Sequence, residues 1–519
     1  MGRPLESEQI HIMLRKIRIT LAVIFWISVT ALFLDFTGTV HAWLGWTARV
    51  QLLPALMAGN VAIVAALVVL TLVAGRVYCS VICPLGVMQD VFSWLSGRRK
   101  GKKFRFGYSR ELRALRLSVL ALFVIAIVAG IGSFVALLAP YSSYGRIVSN
   151  LFEPLYLWGN NLLALIAAHY DSYAFYSVDV WMKGIGTLVV AALTFAVIGW
   201  LAWRNGRTYC NSVCPVGTVL GYLSKFALFR LTINTDKCIS CGVCTHRCKA
   251  ACIDGKNHVI DYSRCVACFD CIGACTHSAI SYKFHSPLPA KQPSAAAAPA
   301  EKAETAGKGV DQSRRTFLSL TALTAVTAAI EAQEKKVDGG LAVVVDKKAP
   351  ERKTPIVPAG ALSLKHLAQH CTGCQLCVTV CPNQVLRPST KLSTMMQPVM
   401  SFERGACTPW CVKCSEVCPA GAITPVTREE KSSIQIGVAV WEPKNCLPLT
   451  DGIECGNCAR HCPAGAIIMV PNRPDDVAAV KVPAVNPERC IGCGTCELLC
   501  PSRPFSAIHV EGLEIHTTI

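Results

Sequence analysis

Six short runs of four cysteines constrain this chain more than any other feature of its sequence. The chain has 519 residues and 29 cysteines, and the six runs contain 24 of those cysteines. Dense runs of this kind are typical of metal or metal-cluster ligands, whereas a disulfide framework uses cysteines scattered along the chain. The first two runs are CISCGVCTHRC and CVACFDCIGAC. Their cysteines are Cys238, Cys241, Cys244, Cys248, Cys265, Cys268, Cys271 and Cys275.

Both of these runs have the C-x2-C-x2-C-x3-C spacing of bacterial ferredoxins. In that arrangement three thiolates bind one [4Fe–4S] cluster and the fourth cysteine reaches the other cluster. The spacing therefore predicts that Cys275 completes the first site and Cys248 the second. Zinc also accepts four cysteine thiolates, but its motifs come as pairs of C-x2-C, so we favour two clusters over zinc. Cys252 lies outside the pattern and is interpreted as a small core residue.

Four further runs near the carboxyl terminus each end in Cys-Pro. Two of them keep the ferredoxin spacing, one has an extra residue in its first gap, and one has a long first gap. They predict four more clusters, which makes six [4Fe–4S] clusters in the chain. Among these four runs, pairing of the first with the fourth and of the second with the third is as possible as pairing of neighbours. The sixteen cysteines are Cys371, Cys374, Cys377 and Cys381; Cys407, Cys411, Cys414 and Cys418; Cys446, Cys455, Cys458 and Cys462; and Cys490, Cys493, Cys496 and Cys500.

The amino-terminal part of the chain has the composition of a membrane protein. Apolar residues make up 52% of the chain and charged residues only 16%, against roughly 25% charged in soluble domains. Nine lysines or arginines lie between Arg98 and Arg116, and basic loops of this kind stay in the cytoplasm. The net charge of +18 is therefore attributed to membrane topology, and no nucleic-acid partner is expected. Four stretches are long enough to cross a bilayer, at about residues 19–36, 52–75, 117–139 and 185–203.

These features predict a multidomain integral membrane protein of the bacterial inner membrane. An α-helical bundle with four spans precedes α+β domains of the bacterial ferredoxin type. The predicted parts are a membrane domain (1–229), a cytoplasmic two-cluster domain (230–285), a linker (286–312), a twin-arginine segment (313–333), a second linker (334–360) and a periplasmic four-cluster domain (361–519). The segment SRRTFLSLTALTAVTAAIEAQ resembles a twin-arginine export signal, and its alternative interpretation is a fifth helix.

A repeated motif follows the second and the fourth span. The sequences GRVYCSVICPLG and GRTYCNSVCPVG each contain two cysteines four residues apart, which share one face of a helix. The proline after each second cysteine suits the first turn of a new helix. The four cysteines could relay electrons, bind a metal, form disulfides or be buried structural residues, and the motif does not choose among these. They are Cys79, Cys83, Cys210 and Cys214.

The four helices, the two repeats and the two-cluster domain resemble the membrane quinol-dehydrogenase subunit of periplasmic nitrate reductase systems, the NapH type. The part from the twin arginines onward resembles its exported four-cluster ferredoxin partner, the NapG type, and a related pair serves methylamine utilisation. These are normally two proteins, so the chain is interpreted as a fusion. The resemblance implies a quinol dehydrogenase that takes electrons from the membrane quinol pool. It would deliver them to a periplasmic reductase or multihaem cytochrome, with the repeat cysteines as a candidate redox relay.

Other functions are weighed against this interpretation. No C-x-x-C-H motif, no pair of histidines within the spans and no Walker loop occurs in the sequence, so attached haem, bis-histidine haem and nucleotide chemistry are not expected. Six clusters without an obvious substrate pocket indicate electron transfer. Asp35, His41 and Glu153 are candidate proton acceptors for quinol oxidation. The alternative is an accessory protein for a copper-containing oxidase, in which the repeat cysteines would reduce or pass on metal. A redox sensor would need an output domain, which the sequence does not show.

Overall fold

The computed structural model of the protein describes residues 4–35, 37–98, 106–285, 337–338, 342–343, 345–473, 475 and 479–519. The predicted linker 286–312 and the twin-arginine segment 313–333 lie outside these residues. The chain forms two compact units. Residues 1–287, 349–502 and 506–519 form the large unit, and residues 288–348 and 503–505 form the small one. In the small unit, the described residues contain one antiparallel strand pair, Val337–Asp338 with Ala342–Val343.

Helices build the amino-terminal part of the large unit, here called the helical region (residues 4–228). The helices start where the sequence offers suitable first residues, such as proline at the first turn of Pro84–Ser96, Pro140–Ile147 and Pro215–Leu223. The other helices are Pro4–Leu34, Thr39–Leu44, Trp46–Arg49, Leu52–Met57, Val61–Ala74, Val77–Val81, Arg113–Val128, Gly132–Leu138, Glu153–His169, Ile185–Asn205 and Thr208–Ser212, with a π-helical turn at Val148–Phe152 and a 3₁₀ turn at Ser224–Phe226.

Two helical stretches in the described chain, Met13–Leu34 and Ile185–Asn205, are long and apolar enough to cross a membrane by length and composition. The prediction of four continuous spans is not supported, because the other two predicted spans are interrupted. The span predicted at 52–75 is interrupted at Gly59 and Asn60, where glycine adopts a φ of +66° and the asparagine side chain caps the next helix. The span predicted at 117–139 is interrupted at Gly130, which has a φ of +72°.

Short antiparallel strand pairs frame the cysteine runs. Residues 229–285 form the first cluster domain, and residues 349–502 with 506–519 form the second cluster domain. In both domains a strand that precedes two runs pairs with a strand that follows them, which brings the ends of the double run together. The strand pairs are Phe229–Ile233 with Ile280–Phe284, Ile253–Asp254 with Val259–Ile260, Leu386–Pro388 with Pro398–Met400, Ile434–Trp441 with Ile508–Thr518, and Ile467–Pro471 with Lys481–Val485.

Short helices complete the two cluster domains. Several of them lie directly after the first cysteines of a run, so that the run turns from loop into helix. They are Val243–Arg247, Leu364–His370, Leu376–Thr379, Lys413–Glu416, Arg428–Ser433, Leu447–Thr450, Asn457–Arg460 and Thr495–Leu499, with 3₁₀ turns at Thr235–Lys237, Leu392–Thr394 and Pro443–Asn445.

The first cluster domain contacts one end of the long helices. The Tyr282 hydroxyl donates to the carbonyl of Ala74, at the carboxyl end of Val61–Ala74. Arg116, near the amino end of Arg113–Val128, donates to the Ser263 hydroxyl at 3.2 Å. The carboxyl end of one helix and the amino end of the next therefore meet the same domain, as expected for antiparallel helices.

The second cluster domain contacts the opposite end of the same helices. Ser133 Oγ, beyond the carboxyl end of Arg113–Val128, accepts from the Met395 amide at 3.2 Å. Asn150 donates to the Gln375 side chain at 2.9 Å, and Asp179, which precedes Ile185–Asn205, pairs with Arg404. Within the large unit, the two cluster domains therefore lie at opposite ends of the helical region.

Candidate iron–sulfur and thiol sites

In the first cluster domain the structure brings the eight run cysteines into two groups of four. Cys275 lies with the first three cysteines of the first run around one small cavity. Cys248, Cys265 and Cys268 all lie within electrostatic range of Cys271. This is the exchange of fourth cysteines that the ferredoxin spacing predicts. We name these groups site 1 (Cys238, Cys241, Cys244, Cys275) and site 2 (Cys248, Cys265, Cys268, Cys271).

Cys252 is a core residue, and it is also a neighbour of site 2. Its side chain is buried, and its Sγ lies 3.5 Å from the Sγ of Cys248. It also interacts with Cys265. Site 2 therefore has a fifth thiol beside its four, which the regular spacing of the runs does not reveal because Cys252 lies between them.

The second cluster domain contains four groups, and each exchanges its fourth cysteine with the neighbouring run. Two of the groups surround small cavities, and the other two are grouped by the electrostatic range of their thiols. The structure therefore pairs neighbouring runs of this domain. It does not adopt the alternative, in which the run that begins at Cys371 would pair with the run that begins at Cys490. The groups are site 3 (Cys371, Cys374, Cys377, Cys418), site 4 (Cys381, Cys407, Cys411, Cys414), site 5 (Cys446, Cys455, Cys458, Cys500) and site 6 (Cys462, Cys490, Cys493, Cys496).

The sulfurs of these groups accept hydrogen bonds of the kind that tune iron–sulfur clusters. The amide of Ala279 donates to Cys275 at 3.3 Å, and the amide of Ala507 donates to Cys500 at 3.2 Å. At site 4 the donor is a buried cation, since Lys431 Nζ lies 3.2 Å from Cys407 Sγ. Four thiols with amide and ammonium donors suit a [4Fe–4S] cluster, which carries one electron when bound.

The repeated motif brings Cys79, Cys83, Cys210 and Cys214 together in the buried core of the helical region, and we name this group the four-thiol site. Cys83 and Cys214 each stand immediately before the proline that starts a helix. The glycine two residues after each proline is required, because a Cβ there would lie within 2.4 Å of a backbone carbonyl oxygen of the cysteine that opens the motif. The sequence predicted the shared helical face but not the convergence of the two motifs.

Two buried arginines link the two halves of the four-thiol site reciprocally. Arg207, from the second motif, donates to the carbonyl of Cys79 at 2.6 Å, and Arg76, from the first motif, donates to the carbonyl of Cys210 at 3.3 Å. Both side chains are fully buried. The halves of the repeat are therefore joined by a pseudo-symmetric pair of contacts.

One carboxylate, Asp90, binds three cations beside this site. Its oxygens lie 2.7 Å from Arg207 Nε, 2.5 Å from Arg18 Nη2 and 3.0 Å from Lys249 Nζ. The three cations come from a long helix, the second motif and the first cluster domain, so Asp90 joins all three parts. Burial raises the pKa of Asp90, but the cations outweigh it and hold that pKa well below its usual value.

A cavity of about 240 Å³ lies where the helical region meets the second cluster domain. Glu153 and Lys183 form a buried ion pair in its wall, and Cys381 of site 4 also lines it. Lys183 is in addition within electrostatic range of Cys377 of site 3. The sequence indicated no separate substrate pocket, because residues from distant parts of the chain form this one.

Of the three candidate proton acceptors, only Glu153 lines this cavity. Asp35 accepts hydrogen bonds from the amides of Gly38 and His41, at 2.8 and 3.1 Å, and from the imidazole of His41 at 3.2 Å. These contacts close the loop after the first long helix. Asp35 and His41 therefore have a structural role that the sequence did not indicate.

Two family profiles match the chain. One, described as a 4Fe-4S binding domain, matches residues 56–103 and 185–234, which contain the two halves of the four-thiol site. The other, a 4Fe-4S dicluster domain, matches residues 370–422 and 451–503. The first match contains two complete neighbouring runs, and the second contains the next two runs except for Cys446, in agreement with the pairing of neighbours in the second cluster domain. No solved structure matches the chain.

Curated relatives are iron–sulfur and electron-transport proteins. YccM of Escherichia coli K12, named as a candidate electron transport protein, is 23% identical over 306 residues, which cover 54% of this chain and 76% of YccM. The ferredoxin-type protein NapF of the same organism is 28% identical over 35% of this chain and 99% of its own length. The methylamine utilization ferredoxin-type protein MauM of Methylobacillus flagellatus is 31% identical over 31% of this chain and 70% of its own length. The chain therefore belongs to the family of ferredoxin-type iron–sulfur electron-transfer proteins that contains MauM.

Proposed function

We propose that the chain is a membrane-bound quinol dehydrogenase that takes electrons from the quinol pool and delivers them to a periplasmic acceptor, a reductase or a multihaem cytochrome. The observation that carries this proposal is the cavity lined by Glu153. It places a half-buried carboxylate, paired with Lys183, beside Cys381 of site 4, and Lys183 lies within electrostatic range of Cys377 of site 3. A quinol needs a proton acceptor and a one-electron acceptor at the same place, and the cavity would offer both.

The long helices support a place in the membrane. In each of the two helices of spanning length, only 28% of the most apolar stretch is buried within the protein. A core helix of a soluble protein would bury most of this surface, since large exposed apolar patches mark interaction sites. We propose that the interrupted helices complete a four-helix membrane domain around these two, with broken segments covered by their neighbours.

In the proposed reaction, a quinol in the cavity loses two electrons and two protons and becomes a quinone. The Glu153 carboxylate, which is held in place by its ion pair with Lys183, accepts one proton. The other proton passes to water at the exposed rim, where Asp179 lines the cavity. Cys381 of site 4 and Cys377 of site 3 would be among the ligands of the clusters nearest the cavity, and such clusters would supply one-electron acceptors for the two electrons.

Replacing Glu153 with glutamine is expected to slow quinol oxidation at least 100-fold, because general acid–base groups contribute about 10²–10⁴-fold. The rate is measured with duroquinol as reductant, by following bleaching of the cluster absorbance of the purified full chain. Dithionite reduction should be unchanged. Asp171→Asn, at an exposed residue just beyond the far end of the same helix, is the control and should keep the wild-type rate. Equal duroquinol rates in Glu153→Gln and wild type would exclude Glu153 as the proton acceptor.

We propose that the first cluster domain is cytoplasmic and the second periplasmic. Arg116, the last basic residue of the stretch 98–116, contacts Ser263 of the first cluster domain, and basic stretches of this kind favour the cytoplasmic side. A carboxyl-terminal epitope is therefore expected in the periplasm, and replacement of Arg314 and Arg315 by lysine should prevent its export. Protease protection in spheroplasts measures this. A cytoplasmic epitope in the wild type would place all six predicted clusters inside the cell, and copper bound to that protein would favour the accessory-protein alternative.

A further inference from the structure

We propose that the four-thiol site binds one further [4Fe–4S] cluster, with two cysteine ligands from each half of the repeat. Each half matches a 4Fe-4S binding domain but contains only two cysteines. A [4Fe–4S] cluster takes four cysteine ligands. Neither half can therefore hold a cluster alone, whereas the two halves together supply a complete set.

The four sulfurs converge in the structure. Cys83 lies within electrostatic range of Cys79 and Cys210, and Cys214 lies within range of all three. Cys79 and Cys210 are likewise within range of each other. All four side chains are at least 96% buried, with exposures of 3–4%. Every pair among the four is thus close, in a place that water does not reach.

The ligand set suits a cluster better than disulfides. The four-thiol site has four cysteines, as each of sites 1 to 6 has. All four thiols are free rather than joined in disulfides. The four-thiol site therefore resembles the predicted cluster sites in its ligand set.

The charge around the site calls for an anion. Arg207 is neutralised by Asp90, but the described residues provide no ion pair for Arg76, which donates to Asn211, to the carbonyls of Ser263 and Cys210, and to Cys79 Sγ at 3.8 Å. A buried cation without a counter-ion is costly. Four thiolates around a cluster are anionic and would supply that counter-ion.

The two halves of the repeat differ, because Arg207 has a carboxylate partner in Asp90 and Arg76 has no equivalent carboxylate among the described residues. Arg207 follows Arg76 by 131 residues, and the residue 131 positions after Asp90 is Gly221. A Cβ at Gly221 would lie 2.4 Å from the Ser263 carbonyl oxygen and 2.6 Å from Arg116. The first cluster domain thus occupies the space in which a carboxylate for Arg76 would lie.

Donors to the sulfurs resemble those at the predicted cluster sites. The Gly217 amide donates to Cys214 at 3.3 Å, and the Gln89 side-chain amide lies 3.3 Å from Cys210 Sγ. Hydrogen bonds to cysteine sulfur are one of the means by which proteins set cluster potentials. The site therefore has the surroundings of a redox centre as well as its ligands.

The four-thiol site lies between site 2 and site 3, where a cluster could carry electrons from one to the other. On one side Arg76 contacts Cys79 of the four-thiol site and donates to the carbonyl of Ser263, two residues before Cys265 of site 2. On the other side Tyr141 lies within electrostatic range of Tyr78, next to the four-thiol site, and of Cys374 and Cys418 of site 3. A membrane interior of about 30 Å would otherwise separate the predicted clusters of the two domains. A carrier at the four-thiol site would divide that distance.

The test is a count of iron and acid-labile sulfide in the purified full chain. We expect Cys79→Ser combined with Cys210→Ser to lose four irons and four sulfides per chain, together with one EPR signal of the reduced protein. Ser80→Ala is the matched control, since Ser80 is buried in the same helical turn and leaves all four thiols in place. Iron content equal to that of the wild type would overturn the proposal and leave the thiols as a disulfide or copper site.

Arg76→Gln is a second variant that keeps all four sulfurs. It should keep the iron content and lower the reduction potential of one EPR signal, because a cation stabilises the reduced cluster. A tenfold change in that equilibrium equals 59 mV for a one-electron couple. Wild-type potentials for every signal would contradict a cluster beside Arg76. Both tests are independent of quinol, so they can succeed even where the duroquinol experiment on Glu153 fails.

Discussion

Replacement of Asp90 by asparagine is expected to increase amide hydrogen exchange of the Pro84–Ser96 helix by roughly 150- to 5,000-fold. Asparagine has the same shape but no charge, so it leaves Arg18, Arg207 and Lys249 without their shared counter-ion. Removing one partner of a buried ion pair costs about 3–5 kcal/mol, and local opening reports such a loss directly. Mass spectrometry of the full chain in mild detergent measures the exchange.

The control for this experiment is Asp179→Asn, which breaks a solvent-exposed ion pair with Arg404. Exposed pairs contribute about 0–1 kcal/mol, so exchange should change less than about tenfold. The depressed pKa of Asp90 means that its contribution is present above the pKa of an unfolded aspartate, about 4, and is lost only as pH falls towards the folded value. The effect should therefore be the same at pH 6 and pH 8. Unchanged protection in Asp90→Asn would show that the cations find other partners.

Replacement of Gly494 by alanine is expected to remove the cluster predicted at site 6. Gly494 has a φ of +78°, and an added Cβ would lie 2.2 Å from the ring of Phe402, which is fully buried. The left-handed backbone costs a non-glycine residue about 1–2 kcal/mol, and overpacking of a core costs about 1–3 kcal/mol more. The ring cannot move without shifting the core, so Cys493 and Cys496 should lose their positions. Iron analysis of the full chain should show four irons fewer.

Gly452→Ala separates the two causes. Gly452 has a similar φ of +69°, but no atom lies within 4 Å of its added Cβ. It lies in the long gap between Cys446 and Cys455, so it also tests sensitivity of a cysteine run to backbone strain alone. We expect full iron content in this variant. Equal iron loss in both glycine variants would assign the effect to the backbone rather than to contact with Phe402.

The grouping of sites 1 and 2 could be predicted because the ferredoxin spacing is a local constraint. A loop with three cysteines provides three ligands of one cluster. The fourth cysteine of the same run is then a ligand of the other cluster. The pairing in the second cluster domain could not be predicted from spacing, since it depends on the antiparallel contact of Ile434–Trp441 with Ile508–Thr518. That contact joins residues 67 to 84 positions apart, which no local pattern encodes.

In the helical region the apolar stretches could be predicted, but their interruptions and their long-range contacts could not. Hydropathy located the apolar stretches, because it adds many similar residues, but it did not show that Gly59 and Gly130 interrupt two of them. The repeat was visible in the sequence, yet its meeting in one site depends on Arg76 and Arg207, which reach across to the opposite motif. No sequence pattern indicated that Asp90 pairs with three cations, since its three partners come from three separate segments. Long-range charge pairing of this kind is visible only in three dimensions.

In the proposed topology, the positions of the two cluster domains at opposite helix ends would make electron exchange between them sensitive to voltage. In the proposed topology, an electron moving between site 2 and site 3 crosses the electric field of the membrane. Each elementary charge that crosses gains or loses about 2.3 kcal/mol per 100 mV. With a negative cell interior, the field favours electrons on the periplasmic side. An energised cell would thus hold the second cluster domain more reduced than a de-energised cell, without any change in the protein or in the quinol supply.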